Sequence, residues 1–245
     1  MELFLFAAAC SCCLISPSLA ALALRCGLEA SLRFSPRAAM ALSAAAGLCA
    51  CFAALARRGS LHTACRGPLA LAALTGGTLG RMLALMLEAH LFSSRAFGRA
   101  QALPLLALVI AACLPGRLRF PRTVRALAAL AFCCALTEGF FGAGALALYA
   151  LAAPPGVHRS DAPQAGALLV CACAQGAALL LTLLCGAAQT FPARIPAALA
   201  LGAAAGAALR EQTKKRGVLS RRMRAALAVY AILAALACTE QAFLS

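Results

Sequence analysis

Acidic side chains are scarce: seven Asp and Glu in 245 residues, with charged residues of every kind at 12%. A soluble domain carries about 25%. With 64% of the chain hydrophobic, too little polar surface remains to face water, so a soluble enzyme is excluded and the solvent must be lipid. Lysine is nearly absent, at Lys214 and Lys215 only, and the bias towards Ala, Leu, Arg and Gly is that of a GC-rich bacterium. Tryptophan is missing and tyrosine occurs twice, which leaves the usual interfacial aromatic belt thin. No GxSxG, HExxH or phosphate-cradling glycine loop occurs, which argues against an intramembrane hydrolase or an ATPase. The three histidines, His62, His90 and His158, lie in or near loops without metal-ligand spacing and read as solvated. No cofactor, metal or enzymatic activity is expected. The first residues, Met1-Glu2, lack the basic n-region of a cleaved signal, so residues 1–25 read as a retained membrane segment.

What is present is a series of apolar runs. Eight can be marked: 3–24, 38–56, 68–87, 101–115, 126–152, 163–188, 195–209 and 225–244. About 20 apolar residues cross a hydrocarbon core of roughly 30 Å, and only helices satisfy every backbone group within an open segment in lipid. The expected fold is all-α, polytopic, with about eight hydrophobic segments; segments four and seven are short and need tilting or shielding. The net charge of +15 sits mostly in short connectors, such as Arg57-Arg58-Gly59, Pro115-Gly116-Arg117 and the run from Arg210 to Arg224. That is the pattern of cytoplasmic loops rather than of a nucleic-acid surface, which would interleave a basic stripe with aromatics.

A weak repeat recurs at about 125 residues. Gly76-x-x-x-Gly80 matches Gly202-x-x-x-Gly206 at an offset of 126, and Ser35-Pro36-Arg37-Ala38-Ala39 faces Arg159-Ser160-Asp161-Ala162-Pro163 at 124. Two duplicated four-segment halves, 1–118 and 119–245, are expected within one integral membrane domain. Duplicated halves are characteristic of secondary transporters, whose site lies between the repeats. The Lys and Arg distribution places the 210–224 connector in the cytoplasm, whether segments one and five cross the membrane or re-enter as hairpins.

Nearly all of the 14 cysteines lie inside apolar runs, where a free thiol packs as a small hydrophobe. Cys49-Ala-Cys51 and Cys171-Ala-Cys173 suggest a soft-metal path as an alternative, but residues two apart on a helix do not face each other. Packing is the stronger reading.

The most informative stretch runs from Leu136 to Tyr149. Gly139, Gly142 and Gly144 permit close backbone approach or unwinding, and exposed amides at such a break can receive an anion. Simple small-residue packing is the bland alternative. Glu138 tips the balance, because a carboxylate inside an apolar run costs roughly 2.5–3.5 kcal/mol and is functional by default. An ionised carboxylate repels an anion, so its expected role is proton coupling. Arg81, one residue past Gly80, either pairs with a substrate anion or with Glu138, or snorkels to the membrane face. Gln164 and Gln175, eleven residues apart, share one helical face, where they line a polar path or join neighbouring helices.

The series Glu138-Gly-Phe-Phe-Gly-Ala-Gly, the Pro154-Pro155-Gly156-Val157-His158 loop, Ala162 and the apolar helix beyond it resemble the second half of TauE/SafE sulfite-exporter permeases. The tail from Pro196 to Gly206, its basic linker and the final helix from Arg224 fit as well. The first half fits through Ser35-Pro36-Arg37-Ala38-Ala39, Ser43, the Arg57-Arg58-Gly59 loop and Gly76-x-x-x-Gly80. Two departures stand out: Ser16-Pro17-Ser18 replaces the first glycine motif, and Cys171 and Cys173 replace polar lining residues, leaving Gln175 as the amide. The resemblance implies a multi-pass permease of the bacterial cytoplasmic (inner) membrane for sulfite, an organosulfonate or a related sulfur anion. A proton is its candidate coupling ion, and the substrate set comprises Glu138, Gly139, Gly142, Gly144, Gln175, Ser43 and Arg81. A non-transporting scaffold or metal-handling subunit using the cysteines is the alternative.

Overall fold

The computed structural model describes residues 1–58, 66–91, 94–113, 123–146, 148, 161–185, 191–213 and 221–244. Among them are nine helices: α1 (Glu2–Ile15), α2 (Pro17–Ala30), α3 (Pro36–Arg58), α4 (Arg66–Leu91), α5 (Ser94–Cys113), α6 (Val124–Phe141), α7 (Asp161–Leu184), α8 (Arg194–Thr213) and α9 (Arg221–Leu244). Six of them, α3 to α7 and α9, contain spans long and apolar enough to cross a membrane. Large apolar side chains at mid-span point outward, among them Leu83, Leu103, Ile110, Leu180 and Leu233. Apolar surface distributed in this way meets lipid. The chain is a multi-pass, all-α membrane protein.

Local chemistry sets the breaks. Ser16 is extended (φ −153°, ψ 113°), and Pro17, whose missing N–H is harmless in a first turn, opens α2. Segment one is therefore two 14-residue helices. Ser35 Oγ accepts from the Ala38 amide at 3.2 Å ahead of Pro36, and Thr123 caps α6 through the Ala126 amide at 3.2 Å. The α6 helix stops at Gly142 (φ 72°), whose N–H returns to the Glu138 carbonyl at 2.7 Å. Gly144 also has positive φ (120°). The left-handed region costs glycine little, so the chain turns here without strain.

Two boundaries differ from expectation. The helix of segment four begins at Ser94 rather than 101, and that of segment one runs past 24 to Ala30. In both cases charged residues marked the presumed edge, but they lie inside the helices: Arg25 is buried and Arg99 bonds to the Ala242 carbonyl of α9. The expected half-boundary at 118/119 lies outside the described residues.

The layout is interlocked. The α1 helix packs on α8 and α6 packs on α4, so the first helix of each presumed half rests against a helix of the other half. Between these pairs α3 touches α7 and α8, while α4 touches α7. The α5 and α9 helices pack on each other, and α2 packs on α9. Backbones meet at glycines. A side chain at Gly76 or Gly80 would strike the backbone of α6 at Phe132 and Leu136, and one at Gly202 or Gly206 would strike α1 at Phe6 and Cys10. Close helix approach of this kind is what small residues permit in lipid. The four glycines and the four residues they touch correspond throughout at an offset of 126. The α8 helix is not among the six apolar spans; its Ile195, Leu199, Gly202, Ala203, Gly206 and Ala207 are buried, and it packs on α1 and α3, while Leu201 on its other face is exposed.

Candidate functional site

Around the break after α6 most of the buried polar side chains form two centres, Ser16 at the α1–α2 junction standing apart. In the first, Glu138 is almost wholly buried, at 1% exposure. Its Oε2 accepts from the Ala145 amide at 2.7 Å, and its Oε1 accepts from Gln175 Nε2 at 2.7 Å. The carboxylate thus bridges its own broken helix to α7. Gln175 is fully buried, and its Oε1 has no hydrogen-bond partner. Its amide lies against Gly47 of α3, where a Cβ would collide with it. Cys171 and Cys51 meet beside this centre, where α7 crosses α3, and both are buried.

Ser43, also buried, donates to the carbonyls of Met40 and Gly142, each at 3.1 Å. Gly142 rests against the Met40 backbone and Gly139 against the backbone of Gly77 and Arg81. Gly144 faces the Leu108 side chain of α5. These glycines let α3 and α4 close on the break.

The second centre lies on the far side of Met40. Arg81 is 3% exposed. Its Nε donates to Thr182 Oγ1 at 2.8 Å and its Nη1 approaches Met40 Sδ at 3.8 Å, while Nη2 has no partner. Across Met40, Gln101 Nε2 donates to the Phe140 carbonyl at 2.9 Å and approaches Met40 Sδ at 3.5 Å. Arg25 forms an ion pair with Glu29 and donates to the Phe141 carbonyl and to Gln101 Oε1, both at 3.3 Å. The end carbonyls of α6 are therefore satisfied by two side chains from α2 and α5, as a buried helix terminus requires.

Several expectations are corrected by this geometry. Glu138 and Arg81 do not pair; each has its own partners. Arg81 does not snorkel to a membrane face but is buried. Just past the break, the Ala145 amide is held by Glu138 itself. Gln175 lies in the first centre, Ser43 joins α3 to the break, and Arg81 stands in the second centre. Arg25, Met40, Gln101 and Thr182 escaped sequence reading. The i,i+4 pairing of Arg25 with Glu29 was the available signal that the helix continued past residue 24; Thr182 inside an apolar run gave none. His90 is exposed at the end of α4, whereas His62, His158 and the Gln164 side chain lie outside the described residues. Among the described residues no three His, Cys, Asp or Glu side chains converge on a metal-sized site.

No family model, curated protein or solved structure matches the chain.

Proposed function

We propose that the protein is a secondary permease of the TauE/SafE kind, with two duplicated halves that move a small sulfur-bearing anion across a bacterial cytoplasmic membrane. The observation carrying this reading is the equivalence of the two crossings. Gly76 and Gly80 meet Phe132 and Leu136 as Gly202 and Gly206 meet Phe6 and Cys10, all at an offset of 126. Matching breaks follow each crossing, at Ser16 and, 126 residues on, at Gly142. Repeats that exchange broken helices around a buried polar layer suit a site alternately open to the two sides.

Glu138 supplies the coupling proton in this reading. Both of its oxygens accept from N–H donors. On protonation one oxygen becomes a donor and needs an acceptor. Rotation of the Gln175 amide offers that acceptor, because its Oε1 has no other bond to lose. Proton uptake on α6 is thereby transmitted to the side chain of α7.

The test is flux of sulfite and small sulfonates in proteoliposomes under an imposed pH gradient. Glu138→Gln keeps the shape and the bond to Gln175 but carries no proton, so pH-driven flux should fall at least tenfold. Gly142→Leu should abolish flux, since it places a side chain on the Met40 backbone at φ 72°. Parental flux from both variants at equal expression would put the site elsewhere and leave the glycines as packing; absence of flux from the parental protein would overturn the permease reading.

A further inference from the structure

We infer that Arg81, held in place by Thr182, and Gln101 form the binding site for a small oxyanion, and that the Met40 thioether is its displaceable plug. The inference rests on the permease reading for its biological sense but not for its test. Arg25 has Glu29 as counter-ion, and Arg37 has Glu88, with Nε at 3.0 Å and Nη2 at 2.8 Å from the same carboxylate oxygen. Among the described residues Arg81 has no carboxylate partner, although it is 3% exposed. A guanidinium withdrawn from water without a counter-ion is costly, and a bound anion removes that cost.

The donors point the same way. With Nε occupied by Thr182, the outer fork of Arg81 is Nη1 and Nη2. One tine faces Met40 Sδ and the other is buried without a hydrogen-bond partner. This is the edge that takes two oxygens of an oxyanion side by side. Gln101 aims a second donor at the same sulfur, and its orientation is fixed. Its Oε1 is held by Arg25, so its NH2 must face Phe140 and Met40. Arg25 is thus a positioning residue. Sδ is a weak acceptor standing between two strong donors, at 3.8 Å and 3.5 Å. Methionine has three freely turning bonds and vacates a position readily. An oxyanion oxygen in its place would receive donors from Arg81 and Gln101 together. Thr182 orients the arginine, its own hydroxyl hydrogen being spent on the Ala178 carbonyl at 2.7 Å.

The ligand class that these donors fit is an oxyanion small enough to replace a methionine side-chain end, and the permease reading makes a sulfonate or sulfur oxyanion the one to test. Thermal unfolding of the purified protein in detergent tests this, with sodium sulfate or methanesulfonate titrated against sodium chloride at matched ionic strength. The expected result is a midpoint that rises with the oxyanion and not with chloride. Arg81→Gln should raise the dissociation constant at least tenfold while leaving the anion-free midpoint equal to or above the parental one, because an uncompensated charge has been removed. Gln101→Leu should weaken binding several-fold, and Met40→Ala should tighten it. Arg125→Gln, an exposed cation on α6, should change nothing. If Arg81→Gln does not fold, Arg81→Lys with Gln101→Leu decides, both being expected to weaken binding. The site falls if the oxyanions give no shift beyond chloride, or if the Arg81 variants keep it. It falls equally if short-chain phosphatidate alone shifts the midpoint, which would make the pocket a lipid headgroup site. Arg81-dependent binding without flux in proteoliposomes would keep the site and overturn the permease. Undiminished flux in Arg81→Gln would do the reverse.

Discussion

Ser43 ties α3 to the broken end of α6 by donating its hydroxyl to the Gly142 carbonyl, 3.1 Å away. The carbonyl of a residue just past a helix, deep in the protein, has no water to turn to. Ser43→Ala leaves it with one fewer donor and should lower unfolding stability by about 1–3 kcal/mol. Chemical or thermal unfolding in detergent measures this, and Ser43→Thr should restore most of the loss.

The glycine crossings give a paired prediction. Gly80→Ala and Gly206→Ala each place a methyl group on a neighbouring helix backbone. Each should cost about 1–3 kcal/mol, the usual range for overpacking. Gly176→Ala, where nothing lies within 4 Å, should be neutral or stabilising by about 0.5–1 kcal/mol. Equal losses at 80 and 206 with none at 176, read from unfolding midpoints, are the expected outcome.

Cysteine labelling separates packing from a wet thiol path. Cys12, Cys13, Cys26, Cys51, Cys134, Cys171 and Cys238 are buried. A membrane-impermeant maleimide on intact cells should leave all seven unmodified. Cys133, exposed in the middle of α6, faces lipid and should react only with an apolar, permeant reagent. Rapid impermeant labelling of Cys51 and Cys171 would instead mean that water reaches the α3–α7 crossing.

The connector between α8 and α9 should be cytoplasmic. Residues 210–224 hold seven Lys and Arg in fifteen positions, and exporting that charge opposes the insertion bias. A phosphatase reporter fused after Gly217 should be inactive, and a cytoplasmic fluorescent reporter at the same place should be bright.

Apolar runs and breaker residues made the helices legible, because membrane burial writes itself into composition. The break at Gly142 was legible in a similar way: three glycines within six residues beside Glu138 weaken a helix where a carboxylate already needs donors. Partner choice was not legible. Pairing with Glu138 was one of the roles open to Arg81, yet the side-chain partners of the two come from α3 and α7, through Met40, Thr182 and Gln175. Periodicity shows which residues share a helix face but not which helix lies opposite. Arg25 was misjudged because a charge at the end of an apolar run usually marks water, whereas here it caps the carbonyl of Phe141.

Packing of α1 on α8 brings together segments far apart in the chain. The surface of α8 that receives α1 is made only after the chain from Ile15 to Arg194 has been synthesised. At ~5–20 residues per second this interval is on the order of 10–40 s. Throughout it, the carbonyls of Phe6 and Cys10 lack the glycines that later cover them. Because α1 satisfies its own backbone it can enter lipid before α8 exists, but it takes its final packing only when α8 arrives to cover it.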